Sequence, residues 1–203
     1  MRITRIFASG LCAAFLFLTG CGKMDIANRD NPGRNIICFG DSITEGWGAG
    51  VDEDYPSLLR KRVSRPVINA GRSGDTTGEA LQRLEEDVLS ADPYLVIVEL
   101  GANDYLKQAP RQQTFKNLDE IVSRIQERGA MVVLAEVRVG LLRDEYYEGL
   151  RAIAENRRAL FIPDIMRGIT WNADLKSDGI HPNAKGYALI AGKIYQYIAA
   201  LCD

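Results

Sequence analysis

Residues 94–100 read YLVIVEL and residues 131–137 read MVVLAEV. Both runs are short and almost continuously apolar, rich in Val, Ile and Leu. A strand with one wet face would alternate apolar and polar residues. A continuous run marks a strand covered on both faces, as in a parallel sheet. Working outward, further strands are expected at 35–39, 66–69 and 160–162. Between them lie helical patterns at 55–64, 77–90, 114–128 and 145–157, and a last one from about 182 to 200. In 77–90 the apolar residues Ala80, Leu81, Leu84, Val88 and Leu89 recur at helical spacing. Strands alternating with helices imply right-handed crossovers and a doubly wound α/β sheet. No internal repeat or low-complexity tract interrupts the pattern.

Ligands of such sheets bind at the carboxyl ends of the strands. Four polar clusters are predicted there. They are Gly40-Asp41-Ser42, the stretch from Asn69 to Asp75, Gly101-Ala102-Asn103-Asp104, and Asp178-Gly179-Ile180-His181-Pro182. Serine needs a base before it can act as a nucleophile. His181 is the only histidine of the chain. Asp178 stands three residues before it, with Gly179 permitting a turn that folds the carboxylate onto the ring. Acyl transfer also needs donors aimed at a developing oxyanion. The Ser42 and Gly74 backbone N–H groups and the Asn103 amide are candidates. Each residue alone has a plainer use, as cap, turn former or structural histidine. Nucleophile, base, orienting carboxylate and donors at successive strand ends are not explained by four separate coincidences.

These clusters resemble the blocks of the SGNH hydrolases, also called GDSL lipases/esterases. The first block is matched by Gly40-Asp41-Ser42-Ile43, with Ile43 where leucine is usual. The second is matched at Gly74, the third at Gly101 to Asp104, and the fifth from Asp178 to Pro182. Within the family the runs 67–76 and 98–104 are most similar to the multifunctional bacterial periplasmic thioesterase/lysophospholipase/arylesterase group. The resemblance implies Ser42 as nucleophile, His181 as base and Asp178 as its orienter. It implies Ser42, Gly74 and Asn103 as oxyanion donors. It also implies a flavodoxin-like three-layer sandwich, with a five-stranded parallel sheet of order 2-1-3-4-5, and neither metal nor organic cofactor. The expected substrate is a small acyl ester or thioester. Trp47, Tyr105, Leu106, Leu141 and Leu142 are candidates to line an acyl pocket.

The chain has 203 residues, 46% hydrophobic and 26% charged, with a net charge of −2. That suffices for one packed domain, placed at 34–203, and excludes wholesale disorder. An acidic balance argues against nucleic acid as a partner. Four cysteines with no close pair, beside one histidine, argue against a structural zinc site. Cys38 sits in an apolar run and is expected to be a buried thiol. Gly46-Trp47-Gly48-Ala49-Gly50 invites a dinucleotide reading, but Val51 occupies the third glycine position. The segment 46–50 is read as a mobile loop beside the nucleophile.

Residues 1–20 have a basic start at Arg2 and Arg5, then a mostly apolar stretch too short to span a bilayer comfortably. Leu18-Thr19-Gly20-Cys21 resembles the lipobox of bacterial lipoproteins. The resemblance implies a cleaved signal peptide at 1–20, an acylated Cys21 and a membrane anchor. Gly22 in place of a retention aspartate points to the outer membrane, facing the periplasm. Residues 21–33 then form a lipidated tether. A flexible coil over 23–33 would reach about 17–20 Å and keep the site near its own membrane. Two other functions fit the same sequence: a carbohydrate (acetyl) esterase of envelope polysaccharide, and a non-catalytic ligand-binding lipoprotein. An intact Ser42, His181 and Asp178 weighs against the second of these.

Overall fold

The computed structural model describes residues 25–138 and 145–202. The strands are β1 (Asn35–Gly40), β2 (Val67–Gly71), β3 (Pro93–Glu99), β4 (Met131–Ala135) and β5 (Leu160–Ile162). They form one parallel sheet in the order β2-β1-β3-β4-β5, as expected. Among the described residues seven α-helices accompany them: α1 (Ser42–Glu45), α2 (Tyr55–Arg60), α3 (Thr77–Leu84), α4 (Ala102–Leu106), α5 (Arg111–Glu127), α6 (Glu145–Asn156) and α7 (Ala184–Cys202). The short α1 and α4, which begin at the site, lie below the length at which helical periodicity shows in a sequence. A π-helical turn, Glu85–Leu89, continues α3.

The apolar runs are continuous because alternate residues enter different cores. Leu95, Ile97, Met131 and Val133 pack with Tyr187, Ile190 and Ile194 of α7 on one face. Val96, Val98, Val132 and Leu134 pack with Leu84, Leu118 and Ile121 on the other. Both faces of the central strands are thus dry, which places the polar chemistry at strand ends. Gly71 has a second role there. A Cβ at that position would collide with the backbone of Thr44 and Glu45, so glycine lets α1 lie directly on β2.

The tether expected at 21–33 is not what its described part forms. Residues 25–33 are docked along the edge where the strands begin. Ile26 is buried. The Ala27 N–H donates to Arg158 O at 2.9 Å. Asn28 Nδ2 donates to Gln126 O (2.8 Å) and Ala130 O (3.1 Å), and Asn31 Nδ2 to Tyr94 O (3.1 Å). Gly33 lies so close to Pro93 and Tyr94 that a Cβ would strike their backbone. The asparagine amides of this segment are there to satisfy main-chain carbonyls of α5, β3 and the turn before β4. The signal peptide expected at 1–20 and the expected acylation site Cys21 lie outside the described residues.

Candidate active site

The carboxyl edge of the sheet collects the four polar clusters. Asp41 follows β1 and caps α1, its Oδ1 accepting the Ile43 N–H at 3.0 Å. That cap sets Ser42 as the first residue of α1. Ser42 Oγ lies 3.0 Å from His181 Nε2. His181 Nδ1 lies 2.8 Å from Asp178 Oδ2. Asp178 Oδ1 accepts the backbone N–H groups of Ile180 and His181, both at 2.8 Å. These backbone donors, the His181 N–H foremost, hold the Asp178 carboxyl well below the usual carboxylate range, and the ring contact adds to them. An ionised Asp178 keeps the neutral ring's proton on Nδ1. Nε2 is then left as the acceptor facing Ser42 Oγ.

The segment carrying His181 is braced. Its carbonyl accepts the Ser177 N–H at 3.0 Å, and Lys176 pairs with Pro182 in an isolated antiparallel bridge. Asn183 Oδ1 caps α7 through the N–H groups of Lys185 and Gly186. The Trp47 ring stands 5.9 Å from the His181 ring, and Tyr187 Oη donates to Trp47 O at 2.8 Å. Gly48 packs so tightly against Ser177 that a Cβ would collide with it. The loop expected to be mobile, 46–50, is therefore tied to α7 and to the histidine segment.

Asn103 is the second residue of α4, after Gly101 turns the chain with φ +111°. Its Nδ2 is 3.0 Å from both Asp41 Oδ2 and Asp75 O. Asp75 is itself fixed by Arg83, whose Nε meets its Oδ2 at 2.5 Å. The same guanidinium reaches Gly40 O at 3.0 Å and Ala70 O at 2.9 Å, tying the ends of β1 and β2 together. Asp104 faces the other way. It accepts the Thr77 N–H (2.8 Å) and Oγ1–H (2.6 Å), a scaffold role inside the fold. Gly74 has φ +83°, and a Cβ there would meet nothing, so its backbone conformation is what calls for glycine. Its carbonyl is held by Lys107 Nζ at 2.8 Å.

A cavity of about 240 Å³ opens beside Ser42 and His181. Tyr105 and Leu106 line it, as expected, together with Val137, Arg138, Met166, Thr170 and Ile180. Gly74 and Trp47 are not among its lining residues. Leu141 and Leu142 lie outside the described residues. Val137 and Arg138 follow β4, so the strand-end rule that found Ser42 and Asn103 also points to them. Met166, Thr170 and Ile180 come from segments with no such signal. Among the described residues no group of His, Cys, Asp or Glu is arranged to hold a metal ion.

Two carboxyls lie behind the nucleophile. Gly40 of β1 is in register with Glu99 of β3, so Asp41 meets Glu99 where the strands end. Both side chains are buried, and their carboxyls face each other where the strands end. Burial pushes both acids up, and Asp41's charge pushes Glu99 further.

With this geometry in hand, comparison with known proteins is direct. The model of the GDSL-like Lipase/Acylhydrolase family matches residues 38–189. An arylesterase of Vibrio mimicus is 31% identical over 174 residues, covering 80% of this chain and 87% of the relative. The thioesterase 1/protease 1/lysophospholipase L1 of Escherichia coli K12 is 30% identical over 164 residues, covering 77% and 79%. Among solved structures, the psychrotrophic esterase EstA from Pseudoalteromonas sp., inhibited by monoethylphosphonate, superposes with a TM-score of 0.74 at 30% identity. The match covers 82% of this chain and 97% of that one.

Proposed function

We propose that this chain, which belongs to the GDSL-like lipase/acylhydrolase family and is a serine ester hydrolase, works through an acyl-enzyme on Ser42. The observation that carries the reading is the continuous relay Ser42 Oγ, His181 Nε2, His181 Nδ1, Asp178 Oδ2, with steps of 3.0 and 2.8 Å. His181 Nε2 takes the hydroxyl proton as Ser42 Oγ attacks the ester carbonyl. The developing oxyanion is held by the Ser42 and Gly74 N–H groups and by an Asn103 N–H shared with its resting acceptors. The imidazolium, steadied by Asp178, returns the proton to the leaving alcohol or thiol. A water activated by the same nitrogen then hydrolyses the acyl-enzyme.

The substrate is a small acyl ester or thioester. Tyr105, Leu106, Val137, Met166 and Ile180 give the cavity an apolar lining suited to an acyl chain, which favours this reading over a sugar-borne acetyl group. Ser42→Ala should lower kcat by roughly 10³-fold or more. A fluorophosphonate probe should label the wild type and leave the variant unlabelled. Equal labelling of both would reject Ser42 as the nucleophile.

The mature chain is proposed to begin at an acylated Cys21 and to sit in the outer membrane, facing the periplasm. Asp25 pairs with Arg158 at the edge where the strands begin, opposite the site. Four peptide steps from Cys21 to Asp25 span at most roughly 14 Å. With an acylated Cys21, that short reach supports a reading in which this edge faces the lipid and the site faces away from it, where a loose tether would let the site stay near the membrane. Mass spectrometry of the native N-terminal peptide should find acylated Cys21 as its first residue. An unmodified Cys21 or cleavage elsewhere overturns the anchor.

A further inference from the structure

Glu99 is fully buried beneath the nucleophile, and the hydrolytic relay does not use it. Its two oxygens have different surroundings. Oε2 accepts the Thr44 Oγ1–H at 2.8 Å, and Thr44 Oγ1 lies 3.0 Å from Tyr55 Oη. Oε1 is buried and makes no well-formed hydrogen bond among the described residues. The polar groups across from Glu99 are the Asp41 carboxyl and, more weakly, the Asp41 backbone N–H. Asp41 is already an acceptor twice over, from the Ile43 N–H and from Asn103 Nδ2. Two buried carboxyls in contact cannot both be ionised. The member that receives two N–H donors is the one suited to carry the charge. The other must hold a proton, and that proton satisfies Oε1 by donating to Asp41. Space has been made for this arrangement, because a Cβ at Gly40 would collide with Thr44 Oγ1 and Glu99 Oε2.

We propose that Glu99 is a positioning residue of the ester hydrolysis: it stays protonated, donates to the Asp41 carboxylate, and so fixes the acceptor that aims the Asn103 amide. The inference rests on the Ser42 reading above and adds a part to it. Asn103 is gripped by Asp41 Oδ2 on one side and Asp75 O on the other. The Asp75 grip is set by Arg83, and the Asp41 grip is set by Glu99. Glu99 touches neither substrate nor the reacting atoms. Its effect should therefore appear in kcat and leave KM alone.

Glutamine reproduces this wiring and leucine does not. In Glu99→Gln the amide oxygen can accept from Thr44 while the amide nitrogen donates to Asp41. This variant should keep kcat within about threefold, one neutral donor replacing another. Glu99→Leu has similar bulk and no donor. It should lower kcat by about 10–100-fold, the scale of a misplaced catalytic group, with KM within about twofold. Infrared spectra of the wild type at neutral pH should show the C=O stretch of a buried carboxylic acid, shifted in D2O and missing from Glu99→Gln. The infrared measurement needs no turnover, so it decides the protonation state even if Glu99→Leu does not fold. Three results would each overturn the proposal: no acid band in the wild type, a loss in Glu99→Gln as large as in Glu99→Leu, or wild-type kcat in a folded Glu99→Leu. Failure of the Ser42 reading looks different, because the Ser42→Ala protein would then hydrolyse substrate as the wild type does.

Discussion

Two aspartates flank the nucleophile, and their surroundings differ. The Asp178 side chain is 42% exposed and accepts two backbone N–H groups besides its contact with the histidine ring. Water and amides solvate its charge, and its carboxyl is pushed down. Asp41 is buried against a second carboxyl, and both are pushed up. The same residue type is thus a permanent charge on one side of Ser42 and half of a proton-sharing pair on the other. The relay needs an anion that stays ionised while the ring cycles between neutral and charged. The amide of Asn103 needs a fixed acceptor, which a dry, doubly tethered carboxyl provides.

The difference is broken most directly at Asp178. In Asp178→Asn the Nδ1 contact no longer enforces the productive tautomer or stabilises the imidazolium. kcat should fall by about 10²–10⁴-fold, the range of general-base catalysis, with thermal stability close to wild type. Steady-state kinetics on a p-nitrophenyl ester would check this. A loss below tenfold would mean that the ring is held by its segment alone.

Asn103 sharpens the other side of the comparison. Asn103→Ala removes the amide that the buried carboxyl holds. It should cost about 2.7–4 kcal/mol of transition-state stabilisation, with KM nearly unchanged. An unchanged kcat in the folded variant would take Asn103 out of the oxyanion hole and leave the buried pair with a purely structural role.

How far each aspartate was legible in the sequence follows from the same physics. Asp178 could be read because the partners it needs are local: its ring is three residues away and the turn between them contains glycine. Ser42, Gly74 and Asn103 are candidates by one rule, that polar residues just past buried strands share an edge. Glu99 carries no such signal, because it sits inside YLVIVEL, where a single polar residue reads as the end of a strand. Its meaning comes from β1–β3 register, Gly40 opposite Glu99, which is a long-range pairing. Residues 25–33 misled for a related reason. Polar composition signals a solvated linker only when the side chains face water, and here Asn28 and Asn31 spend their amides on distant carbonyls. Arg138 follows β4 and so lies within reach of the strand-end rule.

The smallest expected effect compares the two aspartates' environments through stability instead of rate. Burial raises the Glu99 carboxyl above its ordinary 4.5, so the folded protein binds that proton more tightly than the unfolded chain does. Stability then falls as pH climbs from about 4.5 toward the folded value, because the unfolded chain gains by ionising and the folded one cannot follow. Glu99→Gln removes this titration. Its melting temperature, measured relative to wild type, should rise with pH above about 4.5. The slope can be at most about 1.4 kcal/mol per pH unit, worth about 2–4 °C per kcal/mol in a chain of this length. Asp178 has the opposite sign. Its folded carboxyl is pushed below the ordinary 3.8, so its contribution is present above that pH and is lost as pH falls through the folded value. Asp178→Asn should therefore melt slightly below wild type at neutral pH and converge on it under acid conditions. Exposure and solvent screening keep that difference small. Melting curves of the three proteins across the pH range test both signs together. A Glu99→Gln difference that stays flat above pH 4.5, or that converges only in acid as for Asp178→Asn, would show that Glu99 titrates like an ordinary carboxylate despite its burial.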